Sequence, residues 1–331
     1  MRTNPRWFVA SSILPILPLI FAVYATGDGD GDRDREAELS GTISSTLTIF
    51  DDTRLVGDVT CTAAVAIAPC IVFGASHTKL RLNGHTITGP VNPLTSLASC
   101  SKPTDSSFGV GLEAIDQNDI QIQGPGAIQH FERWGILVRA LTLANVKDIH
   151  VIKVTANLNC WSGLQLIGVE DSHFEDNVWA NNAVGSNGAA CGGICLVSSN
   201  NNKIRKNTFN GNGTAAFGSA ALGNVDFGIG FEGTSSGNRV EENDIGGNAN
   251  GVLVFATASG NVIRHNIIVG NPPAQVSVDF PGAAAAGADI HDRSATAVAN
   301  TYEDNFCLTY LGPGTAPCPN IVAKDNDEKD K

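Results

Sequence analysis

One stretch decides the fold: residues 203–212, KIRKNTFNGN, which recur as RVEENDIGGN at 239–248 and as VIRHNIIVGN at 262–271. An earlier copy is HFEDNVWANN at 173–182, and a partial copy is TYEDNFC at 301–307. Self-similarity at a period of about 20 to 50 residues is the signature of solenoids and related repeat architectures. The repeat therefore predicts a chain of stacked, equivalent turns.

Asparagines occupy two fixed positions in these copies. The first column contains Asn177, Asn207, Asn243, Asn266 and Asn305; the second, five residues later, contains Asn182, Asn212, Asn248 and Asn271. The intervals in the first column are 30, 36, 23 and 39 residues, which indicates a basal turn of about 23 residues lengthened by loops. Stacked amides can donate to and accept from their neighbours, and asparagine tolerates the left-handed backbone of a corner. We therefore predict a structural asparagine ladder.

A short glycine-led strand precedes each copy. These strands are GILV at 135–138, GLQL at 163–166, GICL at 193–196, GIGF at 228–231 and GVLV at 251–254. Their second and fourth residues are always apolar, as in a strand with one buried face. Each turn then has three strands, namely the glycine-led strand, one through Ile204 or its equivalent and one through Phe209. Stacking such turns at ~4.8 Å pairs them in parallel, which predicts an all-β, single-stranded parallel β-helix.

A further signature lies upstream, where residues 78–90 read TKLRLNGHTITGP after GDVTC at 57–61. Together with the repeats, it resembles the right-handed parallel β-helix repeat proteins of the pectate-lyase-like superfamily, over roughly Leu55 to Tyr310. The resemblance implies a right-handed helix. The superfamily includes polysaccharide lyases, glycoside hydrolases, uronan epimerases, a maturation factor for nitrous-oxide reductase and structural surface proteins, so the fold does not define the activity.

The N-terminus has the layout of a secretory signal. Two arginines precede an apolar run from Trp7 to Tyr24, and small residues favour cleavage after Ala25. An uncleaved membrane anchor is the alternative, although two prolines interrupt the run. We expect a secreted, periplasmic or cell-surface protein without a stable membrane span after cleavage. The predicted segments are a signal peptide at 1–25, an acidic flexible linker at 26–40, an N-terminal cap with the first rung at 41–90, the β-helix at 91–310, and a C-terminal loop with a charged tail at 311–331.

Charge and cysteine content bear on partners and environment. The net charge is −12, and no basic face is visible, which counts against nucleic acid as a partner. We expect a monomer. The eight cysteines of an exported chain predict disulfides rather than a zinc site. Cys61 with Cys70 and Cys307 with Cys318 would close terminal loops, whereas the remaining four allow three pairings: Cys100, Cys160, Cys191 and Cys195.

A charged row follows the buried Ile204 position. Its members alternate in sign in successive copies: Glu175, Arg205, Glu241, Arg264 and Glu303. On neighbouring rungs they would pair across the outer surface, each exposed pair contributing ~0.2–1 kcal/mol. The row is expected to fix the register rather than to form an active site.

The resemblance implies a site on the outer face of the glycine-led strands, between long loops. Candidate loops are 89–109, 183–192, 213–226 and 272–289, which could wall one groove. The predicted outward residues are Leu137, Arg139, Gln165, Ile167, Cys195, Val197, Gly230, Glu232, Leu253, Phe255, His291 and Arg293. This set is poor in acids. Calcium-dependent pectate lyases use an aspartate cluster with a basic catalytic residue, and the sequence lacks that cluster.

The catalytic candidates are Glu232, Asp226, His291 and Arg293. A hydrolase needs two carboxyl groups ~5–9.5 Å apart. Asp226 would lie ~20 Å from Glu232 along an extended strand unless it folds back. His291 and Arg293 are expected two rungs beyond Glu232, ~10 Å away. The alternative is that these residues are ordinary surface charges.

The substrate-binding candidates are Arg139, Trp134 and Phe255. Phe255 would form an apolar floor, and Trp134, in HFERW at 130–134, would stack on a sugar or cap a turn. The sequence indicates no metal site and identifies no cofactor. We predict an exported β-helix that interacts with a polysaccharide or cell-surface glycan, as a polysaccharide lyase or glycoside hydrolase; the alternative is a non-catalytic structural or surface-binding protein.

Overall fold

The computed structural model describes residues 36–62, 68–91, 100, 109–142, 144–183, 192–213, 227–271, 288–294, 300–313 and 317–318. Regular structure in these residues consists of short strands. No helix in the described ranges has the length and apolar character needed to cross a bilayer. The predicted signal peptide lies outside them.

The strands follow one another in chain order. They are β1 (Ala37–Ile43), β2 (Leu47–Ile49), β3 (Thr53–Cys61), β4 (Pro69–Phe73), β5 (Lys79–Arg81), β6 (Thr86–Thr88), β7 (Val110–Ile115), β8 (Ile120–Gln123), β9 (Ala127–Gln129), β10 (Trp134–Arg139), β11 (Val146–Lys147), β12 (Ile149–Ile152), β13 (Thr155–Asn157), β14 (Ser162–Ile167) and β15 (Val169–Glu170). The remainder are β16 (His173–Glu175), β17 (Val178–Ala180), β18 (Gly192–Val197), β19 (Lys203–Arg205), β20 (Thr208–Asn210), β21 (Phe227–Glu232), β22 (Arg239–Glu241), β23 (Asp244–Gly246), β24 (Val252–Val254), β25 (Val262–Arg264), β26 (Ile267–Val269), β27 (Ile290–Asp292), β28 (Thr301–Glu303), β29 (Phe306–Cys307) and β30 (Tyr310–Leu311).

Successive turns of the chain stack in parallel. The glycine-led strands form a ten-stranded sheet in the order β2-β4-β7-β10-β14-β18-β21-β24-β27-β30. The second and third strands of each rung belong to an eighteen-stranded sheet, and β11 pairs separately with β15. This arrangement confirms the predicted parallel β-helix. Strand β1 begins at Ala37, so the stack starts inside the segment 26–40 that was expected to be linker.

The core fills the inside of the helix. The second and fourth residues of the glycine-led strands are all buried there, as the alternation predicts: Ile136, Val138, Leu164, Leu166, Ile194, Leu196, Ile229, Phe231, Val252 and Val254. The leading glycine is required by close packing between rungs. A Cβ at Gly193 would lie 2.5 Å from the carbonyl oxygen of Gly228 and 2.6 Å from Cδ1 of Phe209.

The asparagine ladder is present and has three columns instead of the two predicted. In the first predicted column, the Nδ2 of Asn207 donates to Oδ1 of Asn243 at 3.0 Å and to the carbonyl of Phe174 on the preceding rung at 2.9 Å. One amide therefore ties three rungs together. The additional column contains Asn202, Asn238, Asn261 and Asn300. The second predicted column begins one rung earlier, at Asn159, and ends on the carboxylate of Asp289.

The corner geometry corrects one expectation. The left-handed residue is the one before the ladder asparagine, not the asparagine itself. Lys206 has φ 56°, Glu242 56° and His265 55°, and glycines 211, 247 and 270 hold the equivalent position in the second predicted column. The asparagine is thereby free to turn its amide into the stack.

Most of the variation in rung length lies at one corner. From the leading glycine to the second-column asparagine there are 19, 19, 20 and 20 positions in four successive rungs (163 to 182, 193 to 212, 228 to 248, 251 to 271). From that asparagine to the next leading glycine there are 4, 11, 16 and 3 positions (159 to 163, 182 to 193, 212 to 228, 248 to 251). Most added residues therefore enter just before a strand of the ten-stranded sheet; the exception is the rung from Gly135 to Asn159, which has 24 positions.

The charged row forms some of the ion pairs that were predicted for it. Nη2 of Arg205 lies 2.8 Å from Oε1 of Glu175, and Nη2 of Arg264 lies 2.9 Å from Oε1 of Glu241. These pairs join alternate steps of the row. The opposite charges were therefore correctly predicted to lie on adjoining rungs, but each arginine takes one glutamate.

Disulfides close the ends of the stack as predicted. Cys61 is bonded to Cys70 and Cys307 to Cys318. Cys100 is bonded to Cys160, which decides between the three pairings that the sequence leaves open.

Candidate functional site

Two columns of side chains point outward from the ten-stranded sheet. The backbone register aligns Glu113, Leu137, Gln165, Cys195, Gly230, Leu253 and His291 in one column. It aligns Ile115, Arg139, Ile167, Val197 and Glu232 in the other, which Phe255 and Arg293 continue through the backbone bonds Phe255 N–H to Phe231 O and Arg293 N–H to Val254 O. Most sequence-predicted site residues thus lie on one face.

At the C-terminal half of this face, Arg293 is held by two neighbours. Its Cζ lies 5.6 Å from the ring centroid of Phe255, and its Nε donates to Nε2 of His291 at 3.3 Å. Burial, reinforced by the charge of Arg293, lowers the pKa of His291 to about 4. His291 is therefore a neutral acceptor at pH 7.

Glu232 stands in the same column as Arg293, with Phe255 on the rung between them. Two rungs separate the acid from the arginine by about 10 Å. Burial raises the pKa of Glu232, so its protonated form is favoured relative to an exposed glutamate. The sequence-predicted partner Asp226 lies outside the described residues.

In the middle of this face, several side chains that point outward from the sheet are nevertheless buried. Leu137, Cys195 and Leu253 are buried, which corrects the expectation of an open apolar groove floor. Cys195, Phe227 and Leu253 form an apolar cluster separate from the core, against which Val197 and Phe255 pack. The chain thus carries a second, external layer of packing.

Phe227 is the side chain that builds this layer. A Cβ on Gly230 would lie 2.1 Å from Cζ of Phe227, so the ring lies directly over Gly230. The ring also meets that of Phe255 edge to face, with centroids 6.5 Å apart. The glycine-led pattern does not reveal this role, because Phe227 precedes the leading glycine.

At the N-terminal half, Trp134 belongs to an aromatic pair. The rings of Trp134 and Trp161 meet at 86° with centroids 5.1 Å apart, and the Arg133 guanidinium lies 5.8 Å and 5.0 Å from their respective centroids. Both rings remain partly exposed. The indole Nε1 of Trp134 is buried without a hydrogen-bond partner. Trp161 directly follows Cys160, so the Cys100–Cys160 disulfide anchors this pair.

Arg139 pairs with a residue that the sequence analysis missed. Its Nη2 lies 2.8 Å from Oε1 of Glu113, whose side chain is 6% exposed. Burial raises the pKa of Glu113, although Arg139 opposes that shift. The Nε of Arg139 is buried without a partner. Glu113 could have been found, because Gly111–Ala114 (GLEA) repeats the glycine-led pattern.

Metal-ligating side chains do not cluster on the described residues. No group of three or more His, Cys, Asp or Glu is placed there to hold an ion. The arrangement is instead suited to binding by aromatic surfaces and arginine donors.

Comparisons with known proteins concern the repeat region above all. A family model described as right handed beta helix region matches residues 135–307. No curated protein matches the chain by sequence. Similar solved structures include the Dettilon tailspike protein (gp208), 12% identical with a TM-score of 0.49, which covers 82% of this chain and 55% of that one. The A-module of the Azotobacter vinelandii mannuronan C-5 epimerase AlgE4 is 15% identical with a TM-score of 0.49, covering 84% of this chain and 85% of that one. This chain thus spans about half the length of the tailspike protein.

Proposed function

Since this chain belongs to the family of right-handed β-helix proteins, we propose that it is an exported protein that binds a polysaccharide along the outer face of its ten-stranded sheet. The observation that carries the proposal is the outward column from Arg139 to Arg293. It crosses six rungs, which corresponds to about 24 Å and accommodates several sugar units.

The chemistry of that column suits a glycan. Arginines stand at its two ends, and Ile167, Val197 and Phe255 supply apolar surface between them. Sugar rings present apolar faces to such surfaces, while guanidinium groups donate to hydroxyl or carboxylate oxygens. Neighbouring sugars along one chain would thus meet both kinds of contact.

The Trp134–Trp161 pair supports the same proposal. The two half-buried rings form a platform at the start of β10, the strand that ends at Arg139, and Arg133 places a cation beside both rings. Aromatic rings with a polar handle are well matched to sugars, which are apolar on their faces and polar at their edges.

Export is supported by the covalent structure. All seven cysteines that the structure describes are disulfide-bonded, six of them in the three pairs given above and the seventh at Cys195. Disulfides of this number persist in oxidising compartments. Together with the leader-like N-terminus, they favour a secreted, periplasmic or cell-surface protein.

The test is a binding panel of neutral and uronic-acid polysaccharides, measured by calorimetry on the purified protein. We expect at least one glycan to bind, and Trp134→Ala to weaken it about tenfold, because stacking contributes ~0.5–1.5 kcal/mol per contact. Phe306→Ala removes an exposed aromatic from the eighteen-stranded sheet, away from the proposed site, and serves as the control, since Phe306 is 43% exposed. No binding to any glycan, or equal affinity of Trp134→Ala and the parent protein, would contradict the proposal.

Cleavage by a lyase or hydrolase mechanism is the second candidate. It is favoured by the raised pKa of Glu232, which would suit a general acid. Asp226 would supply the other carboxyl group, with His291 and Arg293 contacting the substrate. We expect a cleaving protein to release new reducing ends or ultraviolet-absorbing unsaturated ends, and Glu232→Gln and Arg293→Ala to abolish them. If neither product forms on the bound glycan, a non-catalytic binding protein remains.

A further inference from the structure

The eighteen-stranded sheet carries a column of basic side chains on its outer surface. The register aligns His150, His173, Lys203 and Arg239 on four successive rungs. The rings of His150 and His173 stack at 3° with centroids 5.3 Å apart. We call these four residues the cationic column; it spans about 14 Å along the helix axis.

The glutamates beside the cationic column are engaged elsewhere, whereas Asp148, two residues before His150, acts on His173. In the adjoining outward column, Glu175 pairs with Arg205 and Glu241 with Arg264. At the preceding rungs, Asp119 contacts His77 at 2.8 Å. Within the described part of the chain, Lys203 and Arg239 form no ion pair shorter than 4 Å. Their charges are therefore available at the surface.

We propose that the cationic column binds a linear acidic polysaccharide at a surface separate from the outer face of the ten-stranded sheet. Charge complementarity identifies the occupant. The protein as a whole carries a net charge of −12, so a straight row of basic groups on regularly spaced rungs is a local exception that suits one extended polyanion. The column has no Phe, Tyr or Trp on which nucleic-acid bases would stack.

His173 makes this surface respond to acid. Lys203 and Arg239 carry permanent charges, and protonation of His173 adds to them as the pH falls. Burial, then His150 and Lys203, lower the pKa of His173; Glu175 and Asp148 raise it. A bound polyanion favours the protonated form of His173, so binding takes up a proton and strengthens as the pH falls.

The experiment uses the full-length protein and polygalacturonate, with a neutral galactan as the reference ligand, at pH 5.0 and pH 7.5. Between these values the uronate charge is constant, so the protein accounts for any change. We expect polygalacturonate to bind about tenfold more tightly at pH 5.0 and to be weakened by salt. Melting temperatures of all variants confirm that each is folded.

Three paired substitutions locate the effect. K203Q with R239Q should weaken polygalacturonate about tenfold at both pH values, whereas H150Q with H173Q should keep the affinity at pH 7.5 and remove the gain at pH 5.0. K153Q with K206Q removes two exposed lysines from the corners beside the column and should change affinity less than threefold. Trp134→Ala should leave the pH-dependent component intact, which separates this surface from the proposed glycan site.

Three results would overturn the proposal. One is an equal loss of affinity in the corner-lysine variant, and another is pH dependence that survives H150Q with H173Q. The third is tighter binding of a single-stranded oligonucleotide of equal charge, which would assign the surface to nucleic acid.

Discussion

Asn207 and Asn243 are joined by two hydrogen bonds to one oxygen: the backbone N–H and the Nδ2 of Asn207 donate to Oδ1 of Asn243 at 2.8 Å and 3.0 Å. Asn243 in turn donates Nδ2 to the carbonyl of Ile204 at 3.0 Å and to Oδ1 of Asn266 at 2.9 Å. Each ladder amide is thus both the acceptor for one rung and the donor to two others.

Replacing Asn243 by Ala should therefore destabilise the helix by about 3 kcal/mol, because buried donors on both sides lose their partners. Urea unfolding followed by circular dichroism measures the change. The exposed Asn210 lies at the end of β20, outside the ladder, and Asn210→Ala should cost less than ~0.5 kcal/mol. Equal costs at the two positions would show that the ladder bonds contribute nothing beyond side-chain volume.

The Glu113–Arg139 pair predicts that replacing the arginine lowers the stability of the protein by an amount that depends on pH. Arg139→Met should destabilise the protein by about 3 kcal/mol at pH 7, because it leaves a buried carboxylate without its partner. Without Arg139, burial alone raises the pKa of Glu113 further. The folded state then binds this proton more tightly than the unfolded state, so the loss shrinks as the pH falls toward 4.

The matched control for this pair is the double variant Glu113→Gln with Arg139→Met. It should recover most of the stability at pH 7, since no buried charge remains. Unfolding free energies at pH 4 and pH 7 test both statements, and a loss in Arg139→Met that is the same at both pH values would refute the buried-charge explanation.

Gly230 and Phe227 predict a non-additive pair of substitutions. Gly230→Ala should cost about 1–3 kcal/mol, because the new methyl group occupies the space of the Phe227 ring. In a Phe227→Ala background that space is empty, so the added cost of Gly230→Ala should fall below ~0.5 kcal/mol. A double-mutant cycle by thermal unfolding measures the coupling, and simple additivity would exclude the contact.

Glu232 predicts the sign of a pH effect on stability. Burial raises its pKa in the folded state, so the carboxyl group stabilises the fold fully below its unfolded-state pKa, and this contribution is lost as the pH rises through the folded-state pKa. Relative to Glu232→Gln, the parent protein should therefore lose stability between pH 4 and pH 7, with a slope no steeper than ~1.4 kcal/mol per pH unit. Glu303→Gln, at an exposed position, controls for the loss of one charge. If the parent protein instead gains stability between pH 4 and pH 7, relative to Glu232→Gln, then the folded state does not raise the pKa of Glu232.

The parts of the fold that were predictable are those that repeat. Apolar residues such as Ile194 and Leu196 recur at fixed positions, and so do Asn207 and its equivalents, because every rung imposes the same requirement on its inner face and corners. The third column through Asn202 was open to the same reasoning, since that asparagine directly precedes the repeat at 203.

The candidate site was less predictable because it does not repeat. Phe227 covers Gly230 from the start of the same strand, β21, and Glu113 pairs with Arg139 through a register that the sequence shows only when the GLEA copy is included. Leu253 is buried in the same external cluster as Phe227 and Cys195. Such contacts depend on outward side chains that are particular to one rung, which hydrophobic alternation does not encode.

In the four rungs that begin at glycines 163, 193, 228 and 251, 19 or 20 positions separate the leading glycine from the second-column asparagine, whereas 3 to 16 positions separate a second-column asparagine from the next leading glycine. The segment from the glycine to the asparagine is thus nearly constant in length, whereas the segment from the asparagine to the next glycine accepts insertions of different length. Because these insertions stand just before strands of the ten-stranded sheet, exchanging one of them would alter the side chains available beside that sheet while leaving the asparagine ladders and the core unchanged. A protein built in this way can acquire new ligands by replacement of a loop in one rung, without a change in the residues that determine its fold.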